Sequence, residues 1–261
     1  MRVELNKIYN EDCIQTMNRM PDNFIDLTVT SPPYDNLRTY NGYSFDFETI
    51  AKELYRVTKQ GGVVVWIVGD ATIKGSETGT SFKQALYFIE CGFNLHDTMI
   101  YEKPNCYAFD SRQGRYKNIF EYMFIFSKGK PKTHNLIKDK PVKSAGKVFN
   151  STKGRDKNGN LRKNNNVTAL DFQVKYNIWK FSNDARGTKH PAIFPEQLAN
   201  DHIISWSNEN DIVYDCFMGS GTTAIAAIKE NRNYIGSEIS KEYCHIIEER
   251  INNHKKQLKL L

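Results

Sequence analysis

Apolar positions along the chain predict a series of buried strands. The run at residues 63–68, Val-Val-Val-Trp-Ile-Val, is continuous, which is typical of a strand covered on both faces of a parallel sheet. Shorter apolar runs predict further strands at 25–30, 95–101, 119–126, 211–214 and 233–236.

Between these runs, apolar residues recur at intervals of three and four and predict helices. The predicted helices span 11–20, 47–58, 81–91, 195–204, 222–230 and a stretch from 241 onward. Gly61-Gly62 is expected to stop the second helix, and the third presents apolar residues at Phe82, Ala85, Leu86 and Ile89. This alternation of strands and helices predicts an α/β fold with a mostly parallel sheet and helices on both faces.

The composition fits a globular protein rather than a membrane or secreted one. With 261 residues, 39% of them hydrophobic, the chain can bury a sizeable core. No apolar run reaches the roughly 18 residues of a membrane span, and the N-terminus lacks the apolar segment of a secretory signal. The five cysteines are scattered without a C-x-x-C, so neither a disulfide framework nor a zinc site is predicted, and a cytoplasmic location is expected.

The net charge of +6 is concentrated in one segment. Residues 127–168 contain twelve Lys and Arg but only two Asp, a local charge of +10, so the remainder of the chain carries −4. This segment is also rich in Asn, Gly and Ser, a composition that buries little surface. Two interpretations stay open from charge alone: a solvated loop, or a surface that neutralises phosphates.

A glycine-rich segment at 215–223, Asp-Cys-Phe-Met-Gly-Ser-Gly-Thr-Thr, separates a predicted strand from a predicted helix. Glycines there permit a tight turn and close backbone approach to a ligand, while the helix start offers free N–H groups. Glu238 ends the next predicted strand, where a carboxylate can accept hydrogen bonds from a ribose diol. The alternatives are a dinucleotide fingerprint and a turn without a ligand.

A second segment, Thr-Ser-Pro-Pro-Tyr at 30–34, ends the predicted strand 25–30. Two successive prolines stiffen the turn, and the end of a strand is where open α/β sheets bind ligands. The Ser31 hydroxyl and the Pro32 carbonyl could accept hydrogen bonds from a planar amine, and the Tyr34 ring could stack on its base. The alternative is an ordinary Pro-Pro exit from a strand, with Tyr34 in the core.

Together the two segments resemble the exocyclic-amino DNA methyltransferases. That family joins an S/D/N-P-P-Y tetrapeptide to a D-x-F-x-G-x-G loop that binds S-adenosylmethionine, here at 31–34 and 215–221. The catalytic segment comes first, a variable insert second and the cofactor loop last, which is similar to the β arrangement of the family. The resemblance covers most of the chain except about 127–188.

The resemblance implies a Rossmann-like methyltransferase fold in circularly permuted order. Its expected parts are a catalytic half at 1–126, a basic target-recognition insert at 127–188 and a cofactor-binding half at 189–261. The implied cofactor is S-adenosylmethionine and the implied partner is double-stranded DNA, with no metal and no membrane contact. The resemblance also allows a cognate restriction endonuclease and a homodimer as partners.

The resemblance also implies roles for individual residues. The catalytic set is Ser31, Pro32, Pro33 and Tyr34. The cofactor-binding set is Asp12, Cys13, Asp215, Phe217, Gly219, Ser220, Gly221, Thr222 and Glu238. The DNA-binding set is Arg38, Tyr40, Arg112, Lys153, Arg155, Lys157, Arg162 and Lys163.

The target base is expected to be a cytosine that flips out of the duplex to be methylated on N4. Serine at the first position of the tetrapeptide is typical of family members that act on cytosine N4, whereas Asp or Asn is typical of adenine N6. Carbon-5 methylation would need a Pro-Cys dipeptide, which the chain lacks. The alternatives are an N6-adenine enzyme, a protein-glutamine or RNA amino methyltransferase, a nicotinamide-dependent oxidoreductase and a non-enzymatic DNA-binding protein.

Overall fold

The computed structural model describes residues 2–33, 45–104, 114–150, 154–155, 157–160, 166–181 and 195–258. Contacts divide the chain into two compact units. The larger unit combines Met1–Asn135 with Asn177–Leu261, and the smaller unit is Leu136–Tyr176. The smaller unit falls within the segment predicted as the basic insert, whose role in target recognition stays a prediction.

Strands and helices alternate through most of the chain. The described strands are β1 (Lys7–Tyr9), β2 (Ile25–Thr30), β3 (Thr58–Val68), β4 (Thr72–Ile73), β5 (Ser76–Glu77), β6 (Asn94–Glu102), β7 (Phe120–Ser127), β8 (Lys138–Pro141), β9 (Val148–Asn150), β10 (Asn166–Thr168), β11 (Phe172–Val174), β12 (Ile178–Lys180), β13 (Ile212–Asp215) and β14 (Asn233–Ser237). The described helices are α1 (Cys13–Asn18), α2 (Phe47–Val57), α3 (Thr80–Glu90), α4 (Glu196–Trp206), α5 (Thr222–Lys229) and α6 (Lys241–Leu258).

In the described residues, eight strands form the central sheet, in the order β1-β14-β13-β2-β3-β7-β6-β12. Each neighbouring pair is parallel except the pairs that β7 makes with β3 and with β6. The predicted mostly parallel α/β sheet is therefore confirmed. The sequence pattern did not reveal β1 and β12, because a strand of three residues shows too little periodicity to be recognised.

The central strand β3 contributes to two cores, one on each face of the sheet. Val63, Val65 and Ile67 pack with apolar residues of α4, α5 and α6. Val64 and Trp66 pack instead with apolar residues of α1, α2 and α3. Successive side chains of a strand point to opposite faces, which explains why this run is apolar throughout. Helices cover both faces, as predicted.

The end of α2 differs from the prediction. The helix stops at Val57 and β3 begins at Thr58, so Gly61 and Gly62 lie inside the strand instead of terminating the helix. Thr58 is extended, and its hydroxyl donates a 2.6 Å hydrogen bond to the Leu54 carbonyl, which satisfies one of the last acceptors of the helix.

Of the apolar residues predicted on α3, Phe82, Leu86 and Ile89 are exposed and Ala85 is buried. Phe82 is 51% exposed and Leu86 is 61% exposed, whereas Ser81 and Gln84 are buried. The indole N–H of Trp66 donates a 2.9 Å hydrogen bond to the Gln84 amide oxygen. This partner compensates the burial of a polar side chain, an effect of tertiary structure that helical periodicity cannot show.

The smaller unit contains two antiparallel strand pairs, β8 with β11 and β9 with β10. Several of its aromatic side chains are exposed, including Phe149, Phe172 and Tyr176. The ammonium group of Lys140 lies 4.4 Å from the centroid of the Tyr176 ring, which is within cation–π distance. The unit thus presents basic and aromatic groups together.

Two further observations concern the described part of the chain. The four described cysteines, Cys13, Cys91, Cys216 and Cys244, are free thiols. Among the described helices, none has the length and apolar character that a membrane span requires.

Candidate active site

The diproline turn follows β2 at the edge of the sheet where the parallel strands end. β13 pairs with β2 in parallel, so the residues after Thr30 and after Asp215 emerge at the same edge. Pro32 is buried there, while Ser31 and Pro33 are half-buried. Ligands of α/β proteins bind at this edge, which makes it the candidate active site. The fourth catalytic residue of the prediction, Tyr34, lies outside the described residues.

A buried carboxylate joins the diproline turn to the glycine-rich loop. Asp215 is 1% exposed and accepts a 2.6 Å hydrogen bond from the Thr30 hydroxyl. The same oxygen accepts a 3.0 Å bond from the Phe217 N–H, and the other oxygen accepts a 2.7 Å bond from the Thr223 hydroxyl. These bonds hold the end of β2, the loop and the start of α5 together. They give Asp215 a positioning role, and its predicted direct contact with the cofactor stays a prediction.

The burial of Asp215 has an electrostatic consequence. Removal from water raises the pKa of this carboxyl to about 6, while the hydrogen bonds from Thr30, Thr223 and Phe217 act in the opposite direction. The three donors therefore favour the ionised form of the carboxyl, which burial disfavours.

The loop between β13 and α5 adopts a conformation that requires glycine. Gly219 and Gly221 have φ angles of 55° and 84°. A Cβ atom on Gly221 would meet the Cγ2 atom of Ile247 on α6 at 2.9 Å. The Met218 N–H donates a 2.9 Å hydrogen bond to the Ser237 carbonyl, which ties the loop to the end of β14. The loop is closely fitted to its surroundings and leaves its backbone able to approach a ligand.

Glu238 lies directly after β14 and contacts the same loop. One of its carboxylate oxygens accepts a 2.9 Å hydrogen bond from the Gly219 N–H, and the other accepts a 2.8 Å bond from the Ser240 N–H. Burial raises the pKa of the Glu238 carboxyl, and the two N–H donors oppose this shift. Each carboxylate oxygen can accept a second hydrogen bond, so acceptors remain for a ribose diol.

The two predicted cofactor residues near the N-terminus differ in what they can offer. Asp12 caps α1, its carboxylate accepting a 2.8 Å hydrogen bond from the Ile14 N–H. The Cys13 side chain is buried in the core between the sheet and α1, and burial raises the pKa of its thiol. The Cys13 thiol is therefore a core group, and the predicted contact of Cys13 with the cofactor stays a prediction.

Other predicted cofactor-binding side chains line or support the loop. The Phe217 ring lies 5.7 Å from that of Phe45 and 6.2 Å from that of Trp66, both in edge-to-face geometry. Ser220 and Thr222 are buried, with their hydroxyl oxygens 3.4 Å apart. All of these side chains belong to the same edge of the sheet.

The predicted DNA-binding residues are mostly beyond the described part of the chain. Those outside it are Arg38, Tyr40, Arg112, Lys153, Arg162 and Lys163. Arg155 and Lys157 are exposed in the smaller unit, where Arg155 donates a 2.7 Å hydrogen bond to the Gly159 carbonyl. Their contact with DNA stays a prediction.

Several residues that build the site were not identified from the sequence. Thr30 and Thr223 hold Asp215, and the Asn10 amide donates a 2.9 Å hydrogen bond to the Glu238 carbonyl. Arg250 of α6 donates to the Ser220 carbonyl and hydroxyl. Thr30 and Thr223 belong to the diproline and glycine-rich segments, and Asn10 lies two residues before Asp12, so their positions in the sequence could have indicated a role in the site. Arg250 lies in a charged helix, and nothing in the sequence indicates such a role for it.

The described residues do not contain a group of three or more His, Cys, Asp or Glu side chains arranged to hold a metal ion. The features present suit an organic cofactor instead. A loop with two glycines at positive φ and a neighbouring carboxylate with free acceptor capacity fit a nucleoside-containing ligand such as S-adenosylmethionine.

Comparison with known proteins identifies the family. The N6_N4_Mtase model, which describes DNA methylases, matches residues 25–249. The chain is 59% identical over 246 residues to the orphan methyltransferase M.BamHII of Bacillus amyloliquefaciens. The aligned region covers 88% of this chain and 89% of that protein. It is 30% identical over 266 residues to the type II methyltransferase M1.MboII of Moraxella bovis. This alignment covers 92% of this chain and 94% of that protein.

Solved structures share the fold. The PvuII DNA methyltransferase, described as cytosine-N4-specific, superposes with a TM-score of 0.71 at 21% identity and covers 98% of this chain and 93% of that one. The complex of M1.HpyAVI with S-adenosylmethionine has a TM-score of 0.64 at 23% identity, with coverage of 94% and 98%. The expected Rossmann-like methyltransferase fold is confirmed.

The family match leaves neither the nicotinamide-dependent oxidoreductase nor the non-enzymatic DNA-binding protein as an alternative. On these grounds the chain belongs to the N6_N4_Mtase family of DNA methylases, enzymes that transfer a methyl group from S-adenosylmethionine to an exocyclic amine of DNA, N4 of cytosine or N6 of adenine.

Proposed function

We propose that the chain is a site-specific methyltransferase that modifies the exocyclic N4 of a cytosine flipped out of double-stranded DNA. The observation that carries this proposal is the hydrogen bond between Thr30 and Asp215. It supports a site in which the amine acceptors of the diproline turn stand beside the loop that would hold the cofactor.

The cofactor would be held by the loop at 217–222 and by Glu238. The loop backbone accommodates close approach because two of its positions are glycines at positive φ. The Glu238 carboxylate, already fixed by the Gly219 N–H, would accept hydrogen bonds from the ribose hydroxyls. When bound, S-adenosylmethionine supplies an electrophilic methyl group on a sulfonium.

The diproline turn would orient and activate the amine. The lone pair of an aromatic exocyclic amine is delocalised into the ring, which makes the nitrogen a weak nucleophile. The Ser31 hydroxyl and the Pro32 carbonyl would accept hydrogen bonds from the two N–H groups of the amine and favour a tetrahedral nitrogen. The lone pair of that nitrogen is then available for in-line attack on the methyl carbon. The nitrogen would gain the methyl group as the sulfur–methyl bond breaks, and the methylated nitrogen, now cationic and strongly acidic, would give up one proton to water. Positioning and hydrogen bonding account for this chemistry, and a histidine base is not needed. Tyr34 would serve as the stacking platform for the flipped base.

The basic insert would bind the DNA. Its described part is exposed and mixes cations with aromatic side chains, as in the pair Lys140 and Tyr176. Lys and Arg side chains supply salt-sensitive phosphate contacts, and neighbouring polar side chains can read base edges. We therefore assign Arg155 and Lys157, together with Lys153, Arg162 and Lys163, to the DNA interface.

Serine at position 31 supports cytosine as the target base. The solved methyltransferase with the TM-score of 0.71 is described as cytosine-N4-specific, which agrees with this choice. Mass spectrometry of nucleosides from duplex DNA incubated with the protein and methyl-labelled S-adenosylmethionine tests it. N4-methylcytosine is expected, and labelled N6-methyladenine in its place would overturn the assignment of the base. A cognate endonuclease, a homodimer and a cytoplasmic location stay predictions from the sequence.

A further inference from the structure

We infer that Arg250, on the C-terminal helix α6, is a positioning residue that fixes the glycine-rich loop in the form that binds S-adenosylmethionine. The inference rests on the proposed role of that loop in holding the cofactor. The juxtaposition that carries it is the contact of the Arg250 guanidinium with Ser220, the residue between the two glycines at positive φ.

Helix α6 lies against the back of the loop. Ile247 and Ile251 are buried in the core that α4, α5 and α6 share, and Arg250 belongs to the same helical face because it is three residues after Ile247. The Cγ2 atom of Ile247 stands 2.9 Å from the position that a Cβ on Gly221 would occupy. The helix therefore approaches the loop as closely as a glycine permits.

The Arg250 side chain makes a charged contact with the loop backbone. Its Nη1 donates to the Ser220 carbonyl and, at 3.1 Å, to the Ser220 hydroxyl. Partial burial lowers the pKa of the Arg250 guanidinium and Glu196 raises it, although an arginine stays charged throughout the physiological range. Hydrogen bonds from a charged donor are stronger than those between neutral groups, more so where water is partly excluded.

This contact matters because the glycines give the loop more conformational freedom than most loops have, and binding the cofactor restricts it. Glycine backbones reach many conformations, so a loop with glycines at 219 and 221 samples other forms unless something restrains it. Arg250 restrains the peptide on one side, as Glu238 does through the Gly219 N–H on the other. Preorganising a loop in its bound form raises affinity for the ligand without touching the ligand.

The chain offers a matched control for this arginine. Arg232 donates to the carbonyl and the hydroxyl of another serine, Ser207, at 2.7 and 3.0 Å, and also to the Glu230 carbonyl. Arg232 directly precedes β14, so it lies at the opposite edge of the sheet from the cofactor loop. Substituting Arg232 removes the same kind of contact but should affect folding stability alone.

The experiment measures the dissociation constant for S-adenosylmethionine by calorimetry, together with KM and kcat, for Arg250→Gln, Arg250→Lys and Arg232→Gln. Arg250→Gln is expected to raise the dissociation constant and KM about tenfold while kcat at saturating cofactor changes by less than about twofold. Arg250→Lys should restore part of the affinity, and Arg232→Gln should lower the thermal midpoint without changing cofactor affinity.

Two results would overturn the inference: wild-type cofactor affinity in Arg250→Gln, or an equal loss of affinity in Arg232→Gln. If Arg250→Gln does not fold, the cofactor affinities of Arg250→Lys and Arg232→Lys are compared instead. A loss of affinity in Arg250→Lys alone supports the inference, and wild-type affinity in Arg250→Lys or an equal loss in both overturns it. Calorimetry measures the binding of S-adenosylmethionine in the absence of DNA. Its result therefore does not depend on whether the target base is correctly assigned.

Discussion

The hydroxyl of Thr30 donates a 2.6 Å hydrogen bond to the carboxylate of Asp215, a residue 185 positions later in the chain. This bond brings the end of β2 and the end of β13 into contact at one edge of the sheet. The diproline turn begins at the next residue after Thr30, and the glycine-rich loop begins directly after Asp215. Both halves of the proposed chemistry therefore depend on one buried, hydrogen-bonded pair.

Replacing Thr30 with valine removes this hydrogen bond while keeping the shape of the side chain. We expect the free energy of unfolding to fall by about 1–2 kcal/mol because Asp215 loses a donor in a buried position. Methyl transfer should fall as well, since the turn at Ser31 loses its anchor. Urea unfolding and single-turnover methylation measure the two effects.

The same strand supplies the control. Among the described residues, the buried Thr28 hydroxyl of β2 has no hydrogen-bond partner. Thr28→Val should therefore leave the stability unchanged or raise it, because no bond is lost and an unpaired hydroxyl is removed. Equal destabilisation by the two substitutions would contradict the role given to the Thr30–Asp215 bond.

The pKa of Asp215 predicts a pH dependence of stability. The folded protein releases this proton at about pH 6, whereas the unfolded chain releases it near pH 4. Between these values the folded state binds more protons, so the contribution of Asp215 to stability falls as the pH rises from about 4 to 6. The total change is of the order of 2–3 kcal/mol and is complete above about pH 7.

Asp215→Asn abolishes this titration and gives the reference. The difference in free energy of unfolding, wild type minus Asp215→Asn, should decrease between about pH 4 and pH 6 and then level off. Titrating groups that do not sense the charge of Asp215 contribute equally to both proteins and cancel in the difference, whereas Glu238, whose pKa that charge helps to raise, adds a smaller change of its own. A difference that stays constant over this range would show that burial does not shift the pKa of Asp215.

Much of this architecture follows from local sequence pattern. The strand at 25–30 and the continuous apolar run of β3 were predictable because buried strands need apolar side chains on both faces. The diproline turn and the glycine loop were recognisable because their backbones demand particular residues. Those constraints act within a few residues, so a single sequence displays them.

The missed features arise from contacts between distant residues. Gln84 is acceptable on the buried face of α3, beside the apolar Ala85 and Phe88, because Trp66 supplies a partner for its amide. Arg250 looks like one more charged residue of a solvated helix until α6 is placed against Ser220. No periodicity within a segment reports such pairings, which depend on how segments pack together.

Substituting Gly221 with alanine should weaken cofactor binding. Its φ of 84° strains any residue with a Cβ, and the added atom would collide with Ile247. We expect the loop to shift and the dissociation constant for S-adenosylmethionine to rise at least about tenfold. Isothermal calorimetry measures this change.

Gly75 is the matched position for that test. Its φ is 79°, and a Cβ there would meet nothing within 4 Å. Gly75→Ala should cost about 1 kcal/mol of stability from backbone strain and leave cofactor affinity unchanged. If both alanine variants bind the cofactor like the wild type, the loop conformation is not what determines affinity.

The basic insert should dominate the salt dependence of DNA binding. Replacing Lys153, Arg155 and Lys157 with alanine should weaken DNA affinity and reduce the slope of log K against log salt by up to about 3, because each phosphate contact contributes about 0.9. The control removes the same charge from α6, at Lys241, Lys255 and Lys256, and should change the slope less. Fluorescence anisotropy across a salt series compares them, and equal slopes for the two triple variants would refute an interface in the insert.

The central claim is that the diproline turn acts on the amine while the glycine-rich loop holds the cofactor at the same sheet edge. Single-turnover methyl transfer by Ser31→Ala, measured beside its affinity for S-adenosylmethionine, tests this claim most directly. The variant loses one acceptor for the amine, so we expect the rate of methyl transfer to fall at least about tenfold with cofactor affinity unchanged. A wild-type rate of transfer in Ser31→Ala would contradict the account.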